Sequence, residues 1–167
     1  MEQIKVYIVN LGKYNEGEAV GEWFCLPVNF DNVKERLGLN EHYEEYAIHD
    51  YDNWPLKDKP EYTSIEKLNR MAVLINNLDD KYIPILPDMI EQWGNIEAAC
   101  EHTGDIKFYD GCNDMGDVAA KIVVEREFFK GACEELKLYF NYEAYGRDLE
   151  INGSFVKTPV GYAEFPL

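Results

Sequence analysis

Cysteine, histidine and crowded carboxylates are the side chains here that could hold a metal or attack a substrate, and their spacing decides which chemistry is open. Cys100, His102 and Cys112 offer thiolate and imidazole donors of the kind zinc prefers. Their spacing misses the patterns of structural zinc sites, and no fourth donor lies nearby. Asp110, Asn113, Asp114 and Asp117 are crowded as calcium ligands are. An EF-hand loop begun at Asp110 would place Cys112, Met115 and Lys121 where an oxygen ligand, a glycine and a glutamate are required. A polar turn, or at most a loose cation site, is what remains. Ser64 and Ser154 lie outside G-x-S-x-G and read as a helix start and a strand entry. Cys25 stands beside Trp23 and Phe24 in an apolar run, which reads as core packing, and nothing local pairs His42 or His49 with a cysteine. The glycines of LGKYNEGEAVG fit neither G-x-G-x-x-G nor the P-loop, and acids surround them.

Charge carries more information than any of these clusters. The chain of 167 residues has 16 Lys and Arg against 32 Asp and Glu, a net charge of −16. Divided near Pro60 and near Thr103, its three parts carry −6, −5 and −5, so the acidity runs the whole length instead of hanging as a tail. Windows without any Lys or Arg hold Glu16, Glu18 and Glu22, then Glu41, Glu44, Glu45, Asp50 and Asp52, then Asp88, Glu91, Glu97 and Glu101. Asp110, Asp114, Asp117, Glu134, Glu135, Glu143 and Asp148 continue the series. Such a surface repels phosphate backbones, which argues against direct nucleic-acid binding and for cations or basic protein surfaces as partners. With 46% hydrophobic and 14% aromatic residues the chain is expected to fold. MEQIKVYIVN lacks the pattern of a secretory leader, no run reaches the roughly eighteen apolar residues of a membrane span, and the four cysteines show no C-x-x-C pairing. The expectation is a cytoplasmic protein with free thiols and no membrane association.

The elements that must position these residues follow from periodicity. Ile4–Val9, Glu22–Leu26 and Glu45–Tyr51 read as strands, Leu11–Gly21 as a loop, and Asn29 or Asp31 caps a helix that Gly38 stops after Leu37. This is a small antiparallel sheet with a helix, residues 1–60. Residues 61–103 read as purely helical. Thr63 with Glu66 fits a capping box, and Ile65, Leu68, Met71 or Ala72, Ile75 and Leu78 form an inward stripe. Asp88 caps a further helix over Met89–Cys100. Residues 104–167 return to mixed structure: a strand at Ile106–Tyr109, a helix at Asp117–Glu125, and a hairpin of Phe155–Lys157 and Tyr162–Phe165. Between them, Phe129, Ala132, Cys133, Leu136 and Phe140 fall on one helical stripe. A second helix capped by Asn141 puts Tyr142, Tyr145 and Leu149 on one face and pairs Glu143 with Arg147 at i,i+4. The class is α+β in three small domains.

The wording of three stretches adds to this. YFNYEAYGRDLEINGSFV resembles the C-terminal part of the ArdA antirestriction family, whose members read close to YFDYEAYARDL; the match falls on Tyr139, Phe140, Tyr142, Glu143, Ala144, Tyr145, Arg147, Asp148 and Leu149. VYIVNLGKYNEGEAVGEW is similar to the family's N-terminal signature, and EYAIHDYDNWP to its next shared segment. Asn141 replaces the usual Asp, losing a charge but keeping the cap. Gly146 replaces the common Ala, loosening the helix by about 1 kcal/mol. The resemblance implies an elongated α+β protein of three domains, homodimeric, carried by mobile elements, that mimics bent duplex DNA. It implies no catalysis and no cofactor. The implied partners are the DNA-recognition and methyltransferase subunits of type I restriction–modification enzymes.

Two functional classes are thereby set against each other. In the first, an acidic interaction protein fills a DNA-binding groove, its carboxylates standing in for phosphates. Two chains at −16 each match the charge on about 54 Å of duplex, or about sixteen base pairs, at roughly 1.7 Å per charge. In the second, a small acidic hydrolase or metal-dependent enzyme would need a constellation that the spacings above do not supply.

Overall fold

A computed structural model describes residues 2–167. The chain divides into two compact units, Met1–Cys100 and Glu101–Leu167.

The first unit is built on β1 (Lys5–Asn10), flanked antiparallel by β2 (Gly21–Cys25) and β3 (Tyr46–Asp52) in the order β2-β1-β3. The alternation seen in the sequence is the reason: Ile4, Val6 and Ile8 are fully buried, and Phe24 and Leu26 face the same core. That period carries Cys25 outward, so it is exposed instead of packed as expected. α2 (Phe30–Leu37) covers the sheet with Val33 and Leu37; Asn29 caps it, and Gly38, at φ 66°, ends it in the left-handed conformation glycine tolerates.

The expected loop after β1 opens instead with a short helix, α1 (Leu11–Asn15). Asn10 explains it. Its buried side chain accepts from Lys13 N–H at 3.1 Å, capping α1, and donates to the Leu37 carbonyl at 3.1 Å, closing the end of α2. After β3, the Trp54 indole donates to the Asp58 carbonyl at 2.9 Å and the Tyr51 hydroxyl to the Pro60 carbonyl at 2.6 Å, fixing the segment that leads to the helices.

α3 (Ile65–Asn77) buries Ile65, Leu68, Ala72 and Ile75, with Ala72 rather than Met71 on the inner stripe. Ser64, not Thr63, caps it, accepting from Lys67 N–H at 3.2 Å. Asn69 pairs with both backbone groups of Val28, at 2.7 and 2.8 Å, tying this helix to the link between β2 and α2. The single helix expected over Met89–Cys100 is two, α4 (Leu86–Trp93) and α5 (Ile96–Glu101). Gly94 at φ 88° separates them, and Pro87 in the first turn moves the start forward of Asp88.

The second unit has β4 (Lys107–Asp110), β5 (Ser154–Thr158) and β6 (Gly161–Phe165) in the order β4-β6-β5, all antiparallel. Thr158 pairs with Gly161 at the hairpin turn the sequence signals. α6 (Met115–Glu125) and α8 (Tyr142–Asn152) pack together over this sheet, with Tyr109, Cys112, Met115, Val118 and Ile122 as the core and Tyr145, Leu149 and Phe155 against it. The long helix expected from Phe129 to Phe140 reduces to α7 (Glu134–Leu138). Glu127 at φ 49° and Gly131 at φ 81° turn the chain before a stripe can form. Phe129 and Phe140 still meet edge to face at 5.2 Å, while Leu136 is 61% exposed.

Candidate functional site

The nineteen carboxylates singled out by the sequence are all exposed except Glu22 and Asp88, which are half-buried. None lies in a core, so each faces water.

In the first unit, Glu16 and Glu18 follow α1, and the Tyr43 hydroxyl donates to Glu16 Oε2 at 2.7 Å. This bond tethers them to the segment between α2 and β3 that carries Glu41, Glu44 and Glu45. The hydrogen bond to Glu16, then burial, then the fields of Glu16 and Glu18 raise the Tyr43 hydroxyl above its ordinary value. Asp50 and Asp52 lie on β3, at an edge of the sheet, with Lys59 at 3.9 Å and Lys5 at 3.7 Å respectively. Glu22, on the opposite edge strand, pairs with Arg36. These exposed pairs contribute little to stability. Glu18, Glu41, Glu44, Glu45, Asp88, Glu91, Glu97 and Glu101 form no ion pair among the described residues.

In the second unit the acids gather at helix starts. Asp114 caps α6, accepting from Asp117 N–H at 3.0 Å, and Asp117 accepts from the Asn113 backbone N–H at 2.8 Å and its amide at 3.1 Å. Those bonds hold the Asp117 carboxyl below the usual carboxylate range. The crowded Asp110–Asp117 stretch is therefore a capping turn. Among the described residues no group of three or more His, Cys, Asp or Glu side chains converges as a metal ion requires. Cys112 is buried in the core, and His102 Nδ1 is 2.7 Å from Asp105.

Asn141 caps α8 as expected, accepting from Ala144 N–H at 2.9 Å, and Glu143 stands in the first turn. Asp88 in α4, Glu97 in α5, Asp117 in α6 and Glu134 and Glu135 in α7 occupy the same position in their helices. Carboxylates there meet the positive end of the helix dipole, which favours their charged form. This offsets part of the self-repulsion of a −16 chain while leaving the charges exposed.

The family segment is spread over two surroundings. Phe140 lies within a ring cluster, 4.9 Å from Tyr142 and 5.7 Å from Tyr145, whereas Tyr139 is 88% exposed. Glu143 and Arg147, spaced for an i,i+4 pair, form none. Gly146 is buried where α8 crosses the start of α6, and a Cβ there would come within 2.4 Å of the Met115 carbonyl oxygen. Its lack of a side chain is thus required by packing, not a simple loosening of the helix. Sequence reasoning also missed a set of exposed apolar residues, Val124, Phe128, Leu136, Leu138 and Ile151. Val124 and Ile151 stand exposed on α6 and α8, while Phe128, Leu136 and Leu138 follow the breaks at Glu127 and Gly131, of which only the glycine is a signal visible in the sequence.

Among the described residues no helix is long and apolar enough to cross a membrane. No curated protein matches this chain. The sequence model of the family described as antirestriction protein (ArdA) matches residues 6–164. With nearly the whole length matched, and with the same stretches carrying the acidic turns and the α8 segment just described, the chain belongs to the ArdA family of antirestriction proteins.

Proposed function

We propose that this protein acts as a double-stranded DNA mimic, filling the DNA-binding groove of a type I restriction–modification enzyme and so blocking restriction. The observation that carries this reading is the even display of charge. Residues 1–100 hold 9 basic and 19 acidic side chains, a net −10; residues 101–167 hold 7 and 13, a net −6. Among the described residues no carboxylate is buried, and most of those singled out above form no ion pair there, Glu22, Asp50, Asp52 and Glu134 excepted. A basic groove built for phosphates meets the same sign of charge at comparable density.

The action needs neither catalysis nor a cofactor, since occupancy alone denies the enzyme its substrate. It requires contact with the DNA-recognition and methyltransferase subunits, no direct contact with nucleic acid and no membrane, and it takes place in the cytoplasm. Two chains are needed to span about sixteen base pairs, so a homodimer is part of the proposal, as are the elongated arrangement and the separate helical module from residue 61 to 103. The exposed apolar residues near α7 supply area such a pairing could cover.

The test is a plating assay. Cells carrying a type I system and expressing this chain are challenged with unmodified phage. Recovery of plaques by orders of magnitude supports the reading. Unchanged restriction, with the chain present and folded, removes it for that system.

A further inference from the structure

One cavity of about 540 Å³ lies in the first unit. Its walls come from the segment after β3, from α3, and from α4 with the turn into α5. Leu56, Met71, Ile90 and Ile96 give it an apolar floor. Around it stand Lys57, Lys67 and Arg70, three of the 16 cationic side chains of the whole molecule.

What sets these three apart is their convergence on one apolar recess. Lys5, Lys34, Arg36, Lys59, Lys107, Lys130 and Lys137 reach a carboxylate, while Lys57, Lys67 and Arg70, like Lys13, Lys121, Arg126, Arg147 and Lys157, make no ion pair among the described residues. Asp58 and Glu97 also line the cavity, yet neither closes on a cation. In a protein with twice as many acids as bases, a lining of three bases and two acids gives this one apolar recess a net positive charge. Arg70 and Glu97 also border a second recess of about 450 Å³, with Val73 and Leu74.

We infer that this cavity binds a small amphipathic anion, an apolar body seated on Met71, Ile90 and Ile96 with its carboxylate or phosphate held by Arg70, Lys67 and Lys57. The volume suits a drug-sized molecule, and an apolar lining with a few polar groups at its edge is the usual make-up of such sites. The planar fork of Arg70 is suited to a two-oxygen head group, with the lysines adding point charges. This inference does not depend on the groove occupancy proposed above.

The experiment is an NMR titration of the full chain with decanoate, kept below its micelle concentration, and with decanol as the uncharged control; decyl phosphate separates a phosphate preference from a carboxylate one. The expected result is saturable one-to-one binding of decanoate or decyl phosphate, with shifts concentrated at residues 56–58, 67–71 and 87–97. Decanol should bind at least about tenfold more weakly, the loss of one charge-assisted contact. R70Q should weaken the anion about three- to tenfold and leave decanol unchanged, while I90F should fill the recess and weaken both. Equal binding of decanol and decanoate, shifts centred on Val124–Ile151 instead, or no saturation for either anion would overturn the assignment. Unchanged dispersion of the amide spectrum in both variants keeps a folding defect from imitating any of these outcomes.

Discussion

Replacing Gly146 by alanine sets two effects of opposite sign against each other. Alanine favours the helical conformation over glycine by about 1 kcal/mol, so helix propensity alone makes G146A stabilising. Packing says otherwise. The new Cβ would lie 2.4 Å from the Met115 carbonyl oxygen, 2.6 Å from its carbon and 2.9 Å from the Gly116 nitrogen, all inside the 3.0 Å that real Cβ atoms keep. Those atoms are backbone of the turn that opens α6, fixed by the Asp114 cap and by the Asn113–Asp117 bonds, and they cannot rotate away as a side chain would. α8 must therefore lift from α6, taking Tyr145 and Leu149 off the core formed by Met115, Val118 and Ile122. Overpacking of this kind costs about 1–3 kcal/mol, so against the gain of about 1 kcal/mol the net effect is a loss of up to about 2 kcal/mol. In a unit of this size that lowers its melting temperature by up to roughly 15 °C. Thermal melts by circular dichroism, together with amide exchange in α6 and α8, measure it, with R147A as the control for propensity on the exposed face. A Gly146→Ala protein that melts above the parent temperature, as helix propensity alone requires, would refute the close crossing of the two helices.

Further outcomes follow from the same structure. E143Q alone should weaken inhibition of a target enzyme less than about threefold, since one exposed charge counts for little; neutralising Glu16, Glu18, Glu41, Glu44 and Glu45 together should cost more than about thirtyfold, and inhibition abolished by E143Q in a folded protein would contradict a distributed surface. N69A removes both bonds to Val28 and should destabilise the first unit by about 2–3 kcal/mol in urea unfolding. Burial pushes the Tyr51 hydroxyl from 10.0 up to about 12, so the folded state favours its neutral form. That contribution is complete below pH 10 and is lost as pH rises toward 12; Y51F should flatten the alkaline fall in stability, and an unchanged slope would exclude it. Affinity for a target should fall steeply with added salt, whereas salt-independent affinity would point to an apolar interface.

Where local chemistry governs, the chain was legible. The Asn29 and Asn141 caps, the left-handed Gly38, the stripe of α3 and the turn at Thr158–Gly161 all depend on neighbours within a few residues. Elsewhere distant contacts decide. α1 forms because Asn10, buried against the end of α2, spends its side chain on capping, which no local pattern announces. The stripe from Phe129 to Phe140 fitted a helix well, yet Gly131 and the positive φ of Glu127 broke it. Cys25 was read by its apolar neighbours when the strand period should have placed it outside. Gly146 looked like a weakened helix until its position over Met115 was known. Of the candidate site, the exposure of the acids could be anticipated from composition, and the first-turn places of Asp117 and Glu143 from the helix starts read at Asp117 and Asn141. The first-turn places of Asp88, Glu97, Glu134 and Glu135 could not, because α4, α5 and α7 begin away from where periodicity alone puts them.

Whether carboxylates on this chain pass for phosphates is decided by competition. A purified type I methyltransferase is saturated with a fluorescent duplex carrying its recognition site, and the chain is titrated in while anisotropy is followed. The account predicts full displacement of the duplex, with an apparent affinity that weakens in proportion to the duplex concentration. A ternary complex, in which the enzyme holds the duplex and this chain together at saturation, would contradict it.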